Sequence, residues 1–221
     1  MVHIRENHEG KSHASLLSVF IEEILKQENL KVKDLDAVAI SKGPGSYTGL
    51  RIGVSTAKGL CYGAGKPLIA VDTLQALTNG LLDAARGMQE PPPVDEHTIL
   101  VPMLDARRME VYSAFFNHKL EFIREVQAEV IGESTYSQWL DDRQMVFFGT
   151  GAAKTREMIV HPHAWFVEGI EPSAQHMANL SETSYREGRF EDVAYFEPFY
   201  LKDFIATKPR KNIIPRRKSR E

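Results

Sequence analysis

The stretch SKGPGSYTGLRIG, residues 41–53, decides the fold. It follows the short apolar run 36–40 and leads into a helical pattern that continues to about residue 64. We interpret it as a strand, a tight turn and a helix N-terminus, because Gly43 and Gly45 permit backbone angles that a Cβ forbids. Free N–H groups at a helix start can bind an anion. The turn is therefore either a tight connection without a ligand or an anion site built from Gly43, Gly45, Ser46, Tyr47 and Thr48.

Periodic apolar residues predict further elements around this segment. In the first half we predict a helix at 12–28 capped by Ser12, a second helix at 47–64, a strand at 67–71 and a third helix at 73–86 capped by Thr73. A break follows at the proline run 91–93. In the second half we predict strands at 97–104, 109–116 and 120–131, the middle one alternating, then helical and extended segments at 133–140, 145–149, 152–158 and 164–167, and a last helix at 173–187.

The two halves share one order of elements. The second reads β-β-β-α-β-α-β-α, and the first matches it without its opening hairpin if residues 3–5 end a strand. Duplicated βββαβαβα lobes are the architecture of the actin-like and Hsp70-like (ribonuclease H-like) α/β fold. We predict an N-terminal lobe at 1–95, a C-terminal lobe at 96–207 and a basic tail at 208–221. A complete first lobe leads us to expect a natural protein about 20–25 residues longer.

Composition excludes several classes of protein. The 221 residues are 43% hydrophobic and 26% charged, which is typical of a chain with a sizeable core. A single cysteine, Cys61, excludes a disulfide framework and a cysteine-rich zinc site. No apolar run is long enough for a membrane span, so we expect a cytoplasmic protein without membrane contact. The net charge of −3 divides into +6 on the tail and −9 on the rest, so the tail is either a solubilising segment or a weak phosphate contact.

Two helices carry surfaces for a partner. In helix 47–64 we predict that one side contacts the sheet. A second side carries mostly small residues, so another helix, from this chain or from a second chain, can approach it closely. In helix 12–28 the apolar arc is broader than one sheet face buries. The predicted interface comprises Ser12, His13, Leu16, Leu17, Phe20, Ile24, Gly49, Gly53, Thr56 and Leu60.

Four segments, in order, resemble the TsaB (YeaZ) family. They are the KSH start at 11–13, GPGSYTGLRIG at 43–53 with the later VDTL at 71–74, DARRMEVY at 105–112, and EPFYL at 197–201. The resemblance covers about residues 5–205.

The resemblance implies a non-catalytic protein. TsaB is similar in fold to the catalytic protein TsaD, and with TsaD and the ATPase TsaE it supports formation of N6-threonylcarbamoyladenosine at position 37 of tRNAs that read ANN codons. It implies pairing with TsaD through first-lobe helices, a homodimer through a similar surface, and at most indirect or weak tRNA contact by the tail.

Two features of the sequence agree with a protein that has no catalytic activity of its own. The related catalytic family has two metal-binding histidines four apart, whereas here His13 is followed by Leu17. The turn at 105–110 has no glycine to cradle phosphate, although Arg107 and Arg108 can attract an anion or pair with Glu110 or solvent. We therefore expect no catalytic residue, metal or cofactor. The alternatives are a glycoprotease-like hydrolase or acyltransferase that uses a metal or nucleotide, and a sugar- or acetate-kinase-like ATP enzyme.

Overall fold

The computed structural model describes residues 3–7 and 13–201, without the side chains of residues 13–15. The α-helices in these ranges are α1 (His13–Gln27), α2 (Tyr47–Ala64), α3 (Thr73–Ala85), α4 (Ser137–Asp142) and α5 (Ala178–Arg186). The strands are β1 (Val38–Gly43), β2 (Leu68–Asp72), β3 (Ile99–Asp105), β4 (Glu110–Phe116), β5 (Phe122–Val130), β6 (Met145–Phe148) and β7 (Ala164–Val167). Across the described ranges, no helix has the length and apolar character needed to cross a bilayer. The predicted Ser12 cap and the tail at 208–221 lie outside the described residues.

The first sheet consists of the parallel strands β1 and β2 in the described part of the chain. Helix α2 covers one face, where Ala57 and Cys61 pack with Leu68, as the pattern predicts. On the other face Ile69 and Val71 of β2 pack with Ala76 of α3. Burial on both faces is what a parallel sheet requires.

The predicted strand end at residues 3–5 is wrong. Residues 3–7 form neither helix nor strand. Arg5 instead donates hydrogen bonds to Glu23 (3.4 Å) and Gln27 (2.8 Å) of α1. Because the side chain of Arg5 binds the polar face of α1, residues 3–7 contact α1 and do not join the sheet.

The second sheet has the strand order β5-β4-β3-β6-β7. Strands β3, β4 and β5 are antiparallel neighbours, whereas β6 and β7 join parallel to β3. The predicted alternation of β4 is confirmed, because Val111 and Phe115 enter one core while Ala114 and Phe116 enter the other. The sheet is therefore buried on both faces.

The helices of the second half are shorter than predicted. The segment 152–158 contains only a 3-10 turn, Ala153–Thr155, and the last helix divides into a 3-10 turn, Ala174–Met177, and α5. Helix α4 begins at Ser137, four residues after the predicted start at 133. Tyr136 precedes it with φ +68°, outside the helical region, so the helix cannot extend further back.

Helix α3 joins the two sheets. Three of its leucines lie in the core of the second sheet with strand residues that include Leu100, Phe116 and Phe148; these leucines are Leu74, Leu77 and Leu81. The helix is capped by Asp72 and not by the predicted Thr73, since the Asp72 carboxylate accepts hydrogen bonds from the N–H groups of residues 74 (2.9 Å) and 75 (3.1 Å). Burial raises the pKa of Asp72, although the amide hydrogen bonds and Lys42 act in the opposite direction.

A polar cluster fastens β5 to β4. Glu129 accepts two hydrogen bonds from Arg124 (2.7 and 2.6 Å), one from Tyr136 (2.6 Å) and one from Ser113. The Arg124 guanidinium also lies 3.6 Å from the ring centroid of Phe115. Burial alone would raise the pKa of Glu129, but the three donors outweigh it and lower the pKa below its ordinary value.

The acid side of the stability profile tests this cluster. Because the folded-state pKa of Glu129 is depressed, its contribution to the free energy of unfolding is complete above the ordinary glutamate pKa of about 4.3 and is lost as the pH falls through the folded value. Glu129→Gln should therefore lower stability at pH 7 and make its decline below about pH 5 shallower. Urea unfolding at several pH values measures both effects. The exposed Glu133→Gln is the control, and an unchanged decline in Glu129→Gln would contradict the assignment.

The turn after β6 tests the joint between the sheets. A Cβ on Gly149, whose φ is +96°, would lie 2.5 Å from the Met103 carbonyl oxygen and 2.7 Å from Leu77 of α3. Gly169 has φ +77° with no atom within 4 Å of its Cβ position, which makes it a matched control. We expect Gly169→Ala to cost about 1 kcal/mol from backbone strain and Gly149→Ala about 2 kcal/mol more from overpacking. Equal losses in urea unfolding would show that the close contact does not matter.

Candidate functional site

A cleft of about 920 Å³ lies where the carboxyl ends of strands from both sheets meet. Residues from the ends of β1 and β3, and those just after β2 and β6, line it together with the N-terminus of α2. In α/β folds this edge is the usual place for a ligand. Its polar lining includes Ser41, Ser46, Thr48, Thr73, Asp105, Arg107 and Thr150, and its aromatic lining Tyr47, Tyr112, Phe199 and Tyr200.

The Gly43–Gly45 turn makes a close backbone contact. Gly43 has φ +115°, and a Cβ there would lie 2.7 Å from the Phe199 carbonyl oxygen, so only glycine fits. Its N–H donates to the Thr73 hydroxyl at 3.1 Å. The glycine at this position is thus explained by packing within the chain, which is the ligand-free interpretation of the turn.

The structure brings together only some of the residues predicted to form an anion site. Five of its residues line the cleft, although Arg107 lies more than fifty residues from the others in sequence: Gly45, Ser46, Tyr47, Thr48 and Arg107. Gly43 and Arg108 are not among the described residues that line it. Ser46 is the N-cap of α2, and its hydroxyl accepts a hydrogen bond from Gly49 at 3.4 Å. Whether these residues bind an anion stays a prediction.

Backbone groups of the turn at 105–110 hydrogen-bond within the turn. The Ala106 N–H donates to the Glu110 carbonyl at 3.0 Å, and the Glu110 N–H donates to the Arg107 carbonyl at 3.1 Å. Asp105 accepts from the Arg107 N–H at 2.8 Å and also pairs with Lys154. The hydrogen bond from Lys154 is the largest influence on the pKa of Asp105, and it lowers that pKa. Three amides that a phosphate-binding hairpin would present are therefore already bonded within the turn.

The described residues show neither a metal-binding group nor an exposed thiol. No group of three or more His, Cys, Asp and Glu side chains within them forms a metal-binding arrangement. The rings of His161 and His163 lie 5.2 Å apart, but His163 Nδ1 lies 2.7 Å from the Leu140 carbonyl oxygen. Cys61 is buried against the sheet, and burial raises the pKa of its thiol, which disfavours the reactive thiolate.

A second concave surface, the groove, lies between α1 and α2. It has a volume of about 530 Å³, and its exposed surface is mainly apolar, from Ile21, Leu25, Leu30, Val32 and Leu60. The polar residues that also line it are Ser18, Glu22, Lys26, Lys31 and Thr56. The described apolar side chains of α1 are only partly buried, and Val19 is 42% exposed. The broad apolar arc of this helix is therefore not used up by contacts within the described chain.

The predicted interface residues lie in three places. Leu16, Leu17, Phe20 and Ile24 are half-buried on α1, and Thr56 and Leu60 line the groove. Gly49 and Gly53 instead line the cleft, and a Cβ on Gly53 would lie 3.2 Å from Ile40 of β1. Ser12 and the side chain of His13 lie outside the described residues.

Sequence reasoning missed several lining residues. Ile21 and Leu25 belong to the predicted apolar arc of α1, although they are not among the predicted interface residues. Leu30 and Val32 follow the end of the helix, where periodicity no longer indicates direction. Thr73 and Tyr200 lie in segments that carry the family resemblance, but only the fold brings them and Thr150 together at the cleft.

Comparison with known proteins gives one family and one fold. The family model TsaD, tRNA N6-adenosine threonylcarbamoyltransferase, matches residues 7–208. The chain is 29% identical over 200 residues to the tRNA threonylcarbamoyladenosine biosynthesis protein TsaB of Bacillus subtilis, covering 87% of this chain and 80% of the relative. For the Escherichia coli protein of that name the identity is 27% over 204 residues, covering 90% and 84%. The predicted resemblance to TsaB (YeaZ) is confirmed.

A shorter sequence match and a solved structure agree with this family and fold. The tRNA N6-adenosine threonylcarbamoyltransferase of Rhizobium johnstonii is 43% identical over 76 residues, which are 34% of this chain and 21% of that enzyme. The crystal structure of an uncharacterized Pseudomonas aeruginosa protein with similarity to peptidase YeaZ has a TM-score of 0.67 at 24% identity, covering 89% of this chain and 92% of that one. The predicted actin-like (ribonuclease H-like) α/β fold class is confirmed.

Nucleotide titration tests the cleft. Because three amides of the 105–110 turn are already bonded within it, we expect ATP with Mg²⁺ to bind more weakly than about 1 mM. Any residual affinity should fall in Arg107→Gln and stay the same in Arg108→Gln, since only Arg107 lines the cleft. Isothermal titration calorimetry measures both. Saturable micromolar binding that Arg107→Gln abolishes would contradict the expectation of a cleft without a nucleotide function.

Proposed function

We propose that the chain, which belongs to the TsaD (tRNA N6-adenosine threonylcarbamoyltransferase) family, is a non-catalytic subunit that supports threonylcarbamoyl transfer by a TsaD-type enzyme. Its TsaB relatives are named as tRNA threonylcarbamoyladenosine biosynthesis proteins. The substrate of the transfer would be adenosine 37 of tRNAs that read ANN codons, as the resemblance implies. Work on tRNA and a single reduced cysteine favour a cytoplasmic location.

The groove between α1 and α2 is the main support for this role. Leu16, Leu17, Phe20, Ile21, Ile24 and Leu25 of α1 are all partly buried and none is fully buried. Partly exposed apolar residues beside an apolar concavity are typical of a protein–protein interface. The groove also receives Leu60 of α2, so one partner helix would contact both helices at once.

The cleft supports a non-catalytic role. Three amides of its 105–110 turn are bonded within the turn, and the one cysteine is buried with a raised thiol pKa. A protein that binds a partner and performs no chemistry needs neither a phosphate cradle nor a nucleophile. We extend the proposal to a TsaE-like ATPase and a second copy of the chain as further partners, and to weak tRNA contact by the basic tail.

Groove variants test the partner assignment. Leu25→Glu and Leu60→Glu each place a charge in the groove without touching the cleft, and we expect each to weaken binding of the cognate TsaD-type protein about thirtyfold or more, as for an interface hot spot. Val160→Glu is the matched control, since Val160 is 83% exposed and lies outside the groove. Binding is measured by sizing chromatography and by titration calorimetry, with circular dichroism to show that each variant is folded.

Two outcomes would overturn the proposal. Unchanged affinity in both folded groove variants would exclude the groove as the partner surface. Hydrolase or threonylcarbamoyl-transfer activity by the isolated chain, at a rate comparable with that of the complex, would favour the enzyme alternative.

A further inference from the structure

Residues 191–201 follow α5 and run beside the first sheet, with a turn at 193–195 that the Phe196 N–H closes on the Asp192 carbonyl at 2.8 Å. We call this segment the clasp. The Glu191 N–H donates to the Leu68 carbonyl of β2 at 2.8 Å, and the Phe199 N–H donates to the Lys42 carbonyl of β1 at 2.8 Å. The first residue of the clasp is thus hydrogen-bonded to β2, and a residue near the end of the clasp is hydrogen-bonded to β1. No helix or strand longer than a single bridge forms within it.

A lysine of α2 holds the middle of the clasp. Lys58 Nζ donates hydrogen bonds to the carbonyl oxygens of Ala194 (3.0 Å) and Phe196 (2.9 Å). Hydrogen bonds from a charged donor are stronger than neutral ones. Because both acceptors are backbone atoms more than 130 residues away in sequence, Lys58 binds the path of the clasp and not one particular side chain.

The clasp covers a small apolar cluster that contains the one cysteine. Val193 and Phe196 pack, partly buried, against the cluster of Ala57, Cys61 and Leu68. Cys61 is 1% exposed within this cluster. Loss of the clasp would remove two of the side chains that pack against the cluster, so we expect the thiol to become more accessible, while the leucines of α3 lie in a different core and would keep their contacts.

The end of the clasp forms a wall of the cleft. Phe199, Tyr200 and Leu201 line the cleft beside the α2 N-terminus, where the rings of Tyr47 and Tyr200 lie 5.1 Å apart. The Phe199 carbonyl also lies against Gly43. The position of the clasp therefore decides how far this side of the cleft is open.

Few contacts hold the clasp compared with the core. None of its side chains is fully buried, and Tyr195, between the two carbonyls that Lys58 binds, is 84% exposed. Segments with few buried apolar contacts open at a lower free energy than the core. We propose that the clasp opens as one unit, with Lys58 as the positioning residue that keeps it closed over Cys61 and the cleft.

Thiol labelling of the full chain tests the proposal, because Cys61 is the single cysteine. N-ethylmaleimide should modify Cys61 slowly in the parent protein and about tenfold faster or more in Lys58→Met, which keeps the side-chain stem and removes the charged donor. Lys119→Met, on the exposed β4–β5 turn, is the matched control and should label at the parental rate. Intact-mass spectrometry follows the reaction.

The urea dependence of labelling separates local opening from global unfolding. Local opening exposes little surface, so the labelling rate should rise only shallowly with urea, whereas global unfolding has the steep slope of the full transition. Labelling of Lys58→Met at the parental rate would overturn the role of Lys58. A steep urea slope in every variant would overturn the local opening itself.

Hydrogen exchange tests whether the clasp moves as a unit. In Lys58→Met the amides of Glu191 and Phe199 should lose protection together, while those of β3 and β6 stay protected. Faster exchange confined to residues 194–196 would overturn the unit, since both ends would then remain attached without Lys58.

Discussion

The packing of three leucines on one helix determines the form of this protein. Leu74, Leu77 and Leu81 of α3 lie in the core of the second sheet, although the helix follows directly from β2 of the first sheet. The Asp72 cap fixes where that helix begins, and Gly149 permits the β6 turn to approach Leu77 closely. Because the burial of such leucines is worth about 1.5–3 kcal/mol each, the two sheets are held in one arrangement.

That arrangement gives the molecule two concave surfaces of different chemistry. The carboxyl ends of β1, β2 and β3 converge on the cleft, which has hydroxyl, carboxylate and guanidinium groups beside aromatic rings. The groove lies on the side of α2 away from the clasp and is mainly apolar. Helix α2 contributes to both surfaces and also carries Lys58, so a single helix connects the groove, the clasp and the cleft.

The features that sequence predicted well are those with a local physical cause. Helix α2 begins and ends where its apolar period and its Gly-containing turn indicate, and β4 alternates between two cores as its residues do. The failures come from competition that is not local. Thr73 is a reasonable cap by residue type, but its hydroxyl bonds to Ser41 and Gly43 while the preceding Asp72 caps the helix. Residues 3–5 have the composition of a strand end, yet Arg5 finds its partners on α1.

By itself the sequence determined the class of fold, the order of strands in the second half and the family resemblance, and it predicted the helices on which a partner surface would lie. Each of these depends on period, turn residues or motif order, which are properties of neighbours along the chain. The tertiary structure alone decided that Arg107 lines the cleft while Arg108 does not, that Gly49 and Gly53 line the cleft, and that Lys58 holds residues 194 and 196. These outcomes depend on contacts between segments far apart in sequence, and such contacts are set by how the sheets pack and not by any local pattern.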